Sequence, residues 1–237
     1  MKLNMSLSAP ARRARRLARW TALAGLGVTG AAVASLVLPL FVRSVPLVLH
    51  GGWYAWVFTF NGVMLAMVAA LPVSALVVWL LARRRRAAGA EPAWARRASL
   101  AEVGMVHGTV PWVWLILMPG ERAGEVSGRF SLVPVADLLT MGPLGILGNL
   151  LVFAALGFFA PLRFTRLTSV PRVLALGAGC SVLVETLQYV LRLDRVSSVD
   201  DVLLNAAGAA LAGMASRRWW RVPAPSGTPG PAPVPAG

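Results

Sequence analysis

The stretch Glu185-Thr186-Leu187-Gln188, followed by Arg195, Asp200-Asp201 and Asn205-Ala206-Ala207-Gly208, decides how the chain is read. It places acidic, amide and basic side chains at, and just inside, the ends of two apolar segments, about 170–191 and 199–215. In hydrocarbon such groups are costly, so each one requires a partner or a purpose.

The composition puts those segments in a membrane. The chain of 237 residues is 57% hydrophobic and 14% charged, with a mean hydropathy of +0.68. Soluble domains carry about 25% charged residues. The net charge of +14 would suit nucleic acid, but the basic residues come in short blocks between apolar runs. That is the pattern of cytoplasmic loops and not of a groove-binding face, so nucleic acid is excluded as a partner. The single cysteine, Cys180, rules out an internal disulfide and a cysteine zinc cluster.

Working outward, the spacing predicts an all-α, polytopic membrane helix bundle. A basic cytoplasmic segment, residues 1–19, precedes a first span at about 20–42, too long for a cleaved signal region and long enough to cross. A second span at about 53–82 contains Pro72, which should kink it, and ends at Arg83-Arg84-Arg85-Arg86. A third, about 98–118, holds Glu102, His107 and Pro111, with Glu102 expected to pair with Arg96 or Arg97. The fourth (about 141–160, with Asn149), the fifth (about 170–191) and the short, weak sixth (about 199–215) follow. The count is therefore six, or five without the last. The domain plan is 1–19, then 20–129 with the first three helices, 130–216 with the last three, and a Pro/Gly-rich tail, 217–237, expected to be disordered.

Charge sets the orientation. Of 23 Lys and Arg, only Arg43, Arg122, Arg129, Arg192 and Arg195 fall in outside loops if both termini are cytoplasmic. The positive-inside rule thus favours a multi-pass chain with N-in, C-in topology. At about 1.5 Å per residue, Glu185 then lies roughly 9 Å below the outer end of its helix. Asn149 and Asn205 come to a similar depth. On the fifth helix Glu185, Gln188, Tyr189 and Arg192 share a face, and on the sixth Asp201, Asn205 and Gly208 do. The expected polar pocket at the outer leaflet is Asn149, Glu185, Gln188, Arg195, Asp200, Asp201 and Asn205.

Each member also has a plainer reading. Ser198 with Asp200 and Asp201 forms a helix start, with a serine N-cap and carboxylates in the first turn. Glu185 can be a structural tie to Arg192 or Arg195, or a functional intramembrane carboxylate. Asn149 and Asn205 can be interhelical hydrogen-bond glue, and Gly157, Gly208 and Gly213 close-packing positions. His107 has no second ligand in a metal pattern and reads as structural. No Walker loop, dinucleotide glycine motif or serine elbow is present, and no cofactor or metal is called for.

Taken together, these residues resemble the VanZ-like family of bacterial membrane proteins over about 130–215. The match runs through Asn149, Phe153 and Gly157, then Ser181, Glu185 and Gln188, then Arg195, Asp200, Asp201, Asn205, Gly208 and Gly213. Ser131-Leu132-Val133-Pro134 resembles the short Pro-containing segment that precedes the Asn helix. The chain departs from the family at Ser198, where an acid is frequent, and at Ser131 and Val135, where Asn and Phe are. The family is named for a member associated with low-level resistance to the glycopeptide teicoplanin. The resemblance implies a membrane fold, a site and a broad link to the cell envelope, and the first reading built on it is a non-enzymatic protein whose outer pocket binds membrane lipid, a lipid-linked cell-wall precursor or a glycopeptide. Glu185, Asp201 and Arg195 would supply charge, and the amides hydrogen bonds. Two alternatives stand beside this non-enzymatic reading. One is a membrane enzyme with candidate catalytic Glu185 as general acid/base and a divalent cation at Asp200/Asp201. The other is a small proton-coupled transporter.

Overall fold

The computed structural model describes residues 57–220, together with the isolated residues Ser35, Leu38, Pro39, Val42 and His50. The expected basic segment 1–19, the body of the first span and its following loop, and the tail beyond 220 lie outside the described residues. The chain divides into two units, Met1–Ala69 and Ala70–Gly237. In the first, the described helix is α1, Phe60–Ala69.

The second unit is mostly helical: α2 (Leu71–Ala87), α3 (Pro92–Ile116), α4 (Pro143–Val152), α5 (Ala154–Arg163), α6 (Val170–Val190) and α7 (Val199–Ser216). The kink expected at Pro72 is a helix boundary, with Pro72 in the first turn of α2, where its missing N–H costs nothing. At the other end Gly89 takes φ +87, and the Gly89 and Ala90 N–H groups bond back to the Arg86 and Arg85 carbonyls. This closes the helix in a Schellman turn. The Glu91 carboxylate then caps α3, accepting from the N–H groups of Ala93 (2.8 Å) and Trp94 (2.7 Å).

Two expectations need correcting. The chain is not purely helical: β1 (Arg129–Ser131) and β2 (Val196–Ser198) pair in parallel, with Arg129 opposite Val196 and Ser131 opposite Ser198. Both are three-residue connectors whose backbone groups need partners, and three residues leave no periodic signature. The expected Asn149 span stands as one apolar stretch, but a single-residue break at the buried Phe153 divides it into α4 and α5.

Length and composition mark two helical stretches as able to cross a membrane, Pro143–Arg163 and Val170–Val190. Taking Phe60–Ala69 with Leu71–Ala87 as one broken span makes three. The outer surface fits lipid, with large side chains such as Leu144 (84% exposed) and Leu139 (81%) left uncovered.

Helix α7 is the hub, packed against α4, α5 and α6. Its small residues make this possible. A Cβ on Gly157 would lie 2.0 Å from the Ala209 carbonyl oxygen, and one on Gly208 would lie 1.9 Å from that of Leu150. Gly213 is less tight, 3.1 Å from a Val173 methyl. The apolar core beside them is Val152, Phe153, Val173, Val184 and Ala209. At the arginine-rich end, Glu102 binds Arg85 and Arg163, each at 2.5 Å, tying α2, α3 and α5 together. The partners expected for Glu102, Arg96 and Arg97, are not the ones it takes, because the longer-range arginines approach its carboxylate from neighbouring helices.

Candidate functional site

The β1–β2 pairing brings Ser131 beside Ser198, and Ser198 organises the surrounding polar groups. As N-cap of α7 its hydroxyl accepts the Asp200 N–H at 3.2 Å. The same hydroxyl donates to Asp137 Oδ2 at 2.5 Å, and the Ser198 N–H donates to Glu185 Oε2 at 3.1 Å. Ser197 donates its hydroxyl to the Glu185 carbonyl at 2.9 Å. One serine thus links the end of α6, the start of α7 and the 131–141 connection.

Asp200, 2% exposed, has a different task from the one its position suggests. Its carboxylate caps a remote turn and not its own helix. Oδ1 accepts the Val135 N–H at 2.6 Å, and Oδ2 accepts those of Asp137 (3.0 Å) and Leu138 (2.9 Å). Val135 sits at φ +70, a conformation that a β-branched residue rarely adopts. The three bonds to Asp200 hold that turn in place. With both oxygens occupied by N–H donors, Asp200 has little lone-pair capacity left for a cation.

Asp201, half-buried, projects differently. Its Oδ1 accepts from Asn149 Nδ2 at 2.8 Å, and Oδ2 takes no hydrogen bond from the described residues. Glu185, 8% exposed, lies near enough to Asp201 for the two carboxylates to repel. Arg195 is exposed and attracts Asp201 electrostatically, without an ion pair within 4 Å.

Of the residues expected to converge, Asn149, Glu185, Asp200 and Asp201 therefore gather around Ser198, with Arg195 at the rim. Gln188 and Asn205 go elsewhere. Gln188 donates to the Ile116 carbonyl at 2.7 Å, satisfying the C-terminal end of α3. Asn205 lies deeper, donating to Ser181 at 2.8 Å, and its buried Oδ1 has no partner among the described residues. The expected tie of Glu185 to Arg192 or Arg195 does not form.

Asp137 is the member that sequence reasoning missed. It stands outside any helix, where the Ser131 hydroxyl first and the Ser198 hydroxyl second hold its carboxyl below the usual range. The available signal was the serine at 198. Where the resemblance leads one to expect an acid there, an acid from another segment could occupy the same space.

Four carboxylates thus meet here: Asp137, Glu185, Asp200 and Asp201. The ion pairs among the described residues are Arg85 and Arg163 with Glu102, and Arg122 and Arg129 with Asp194. None of them reaches this cluster. Among the described residues no group of three or more His, Cys, Asp or Glu is arranged to hold a metal ion. What the arrangement offers is a set of hydrogen-bond acceptors with no ion-pair partner among the described residues.

Comparison with known proteins gives one match. The VanZ/LLP1 family model covers residues 106–220, a range that contains α4 to α7, both strands and every carboxylate of the cluster. No curated protein and no solved structure matches the chain.

Proposed function

We propose, with residues 106–220 as a VanZ/LLP1 region of a membrane protein as the premise, that the cluster around Ser198 is a ligand site of the cell envelope. The observation that carries this reading is the meeting of Asp137, Glu185, Asp200 and Asp201 with no cation at ion-pair distance among the described residues. Intramembrane carboxylates are normally paired. Glu185 and Asp201, which lack an ion pair among the described residues, favour a ligand that brings hydrogen-bond donors or positive charge. An amine-bearing lipid headgroup, a lipid-linked cell-wall precursor and a glycopeptide all present such groups.

The roles divide by what each side chain already does. Asp200 and Ser198 build the site, since their bonds are spent on the protein. Glu185 and Asp201 face the ligand, with Asn149 orienting Asp201. Arg195 stands at the entrance, where it can meet a phosphate or carboxylate on the same ligand. By the arginine distribution, this end of the helices is the outer one.

The test is a deletion strain complemented with wild type, Glu185→Gln or Asp201→Asn. Lipid and cell-wall precursor profiles and teicoplanin susceptibility are read together. Wild type should restore the parental profile, whereas E185Q should reach the membrane in normal amount and fail to restore it. An unchanged profile and unchanged susceptibility in the deletion strain would sink the envelope reading. Ligand retained by purified E185Q with turnover lost would instead establish the membrane enzyme, with Glu185 as its acid/base.

A further inference from the structure

A second site lies at the opposite, arginine-rich end of the helices. Between α2 and α3 runs a groove of about 510 Å³, open to the outside. Small residues, among them Ala82 and Ala93, line it, with Trp79 of α2 as one apolar wall and Leu100 of α3 across from it, 50% and 53% exposed. Arg86, Arg96 and Arg97 line it as well. Arg83 lies over the Trp79 ring, 5.4 Å from its centroid, and adds a fourth cation beside that wall.

The neighbouring acids do not neutralise these arginines. Glu102 is committed to Arg85 and Arg163. Glu91 caps the start of α3 through two N–H groups, and Arg96 acts on it only through space. The Nε–H of Arg97 is buried and has no acceptor among the described residues. A buried donor without an acceptor is uncommon in a folded chain and points to a missing partner.

We propose that this groove binds an anionic phospholipid. Its phosphate would be held by Arg86, Arg96 and Arg97, and the first acyl carbons would lie on Trp79 and Leu100. Charge and shape argue together. Cations clustered at the end of an apolar groove match a headgroup attached to a chain, and juxtamembrane basic residues draw anionic lipid. A free anion would have no use for the exposed tryptophan and leucine walls. The site is independent of the carboxylate cluster, which carries the opposite charge.

The full-length protein in detergent is titrated with phosphatidylglycerol, phosphatidylcholine and inorganic phosphate, and bound lipid is read by native mass spectrometry. Phosphatidylglycerol should bind in preference to phosphatidylcholine. Each of R96Q and R97Q should weaken it about fivefold. A93W, which fills the groove while keeping every charge, should also weaken it. R84Q, in the same basic run but outside the groove, should leave it unchanged. Undiminished binding in A93W overturns the proposal, and so does an equal loss in R84Q, which would mean diffuse attraction to a basic face. Competition by inorganic phosphate at equal concentration also overturns it, since the lipid chain would then contribute nothing.

Discussion

At the scale of single residues, adjacent aspartates do different work. Asp200 accepts three backbone N–H groups of the 135–138 turn, while Asp201 accepts one side-chain amide and keeps an oxygen free of protein bonds. Removing Asp200 leaves three part-buried donors without their acceptor, so D200A should lower stability by about 3 kcal/mol, read by thermal unfolding in detergent. D201N should unfold almost as wild type does, and a loss comparable to that of D200A would contradict the division. The turn itself supplies a gain. Val135, 48% exposed at φ +70, gives up little packing if replaced, so V135G should stabilise by about 1 kcal/mol. Asp137 adds a pH dependence. Its folded carboxyl is depressed by the Ser131 and Ser198 hydroxyls, so its contribution is present above the unfolded value of about 3.9 and is lost as pH falls through the lower folded one. The melting difference between wild type and S198A should therefore be constant near neutrality and shrink only below that range. These roles were partly legible. Glu185, Asp200 and Asp201 stood out as charges in an apolar chain. Asp137 did not, because its place depends on a turn at positive φ and on a pairing of Arg129–Ser131 with the distant Val196–Ser198.

Among the elements, α7 shows why hydropathy alone misjudges a central helix. Its sequence is weak as a membrane span because Gly and Ala take the place of large apolar residues. Those small residues let the backbones of α4 and α5 come close, so α7 is shielded by neighbours and its own greasiness matters less. A methyl at the contact should be decisive. G157A and G208A, each driven within 2.0 Å of a carbonyl oxygen, should cost about 3 kcal/mol or prevent folding. G148A, which meets nothing within 4 Å, should be neutral or gain up to about 1 kcal/mol from helix propensity. Melting temperatures of the three variants in one detergent decide it, and equal effects would refute the backbone-contact account. Helix positions were readable from apolar length, with α6 and α7 close to their expected ends. The break at Phe153 was not, since neither Pro nor Gly stands at that position and the ring there is buried in the core. The strand pair escaped for a related reason, being fixed by what lies across from it.

For the whole molecule, the two ends carry opposite characters. Arg83 to Arg86, Arg96, Arg97, Arg163, Arg166 and Arg172 gather at one end of the helices, and Asp137, Glu185, Asp194, Asp200 and Asp201 at the other. This polarity is what the positive-inside rule needs to orient a chain, and it predicts that the arginine end is cytoplasmic. The single native cysteine makes the question testable. In a C180A background, a cysteine at Glu125, in the exposed connection before β1, should react with a membrane-impermeant maleimide added to intact cells. One at Ala88, just past the arginine run, should react only after the membrane is permeabilised. A cysteine at Ser226 in the tail should behave like the one at Ala88 if α7 crosses as the sixth span. Labelling of the Ser226 position from outside would make α7 a helix that enters and does not cross. The expected count would then fall from six spans to five.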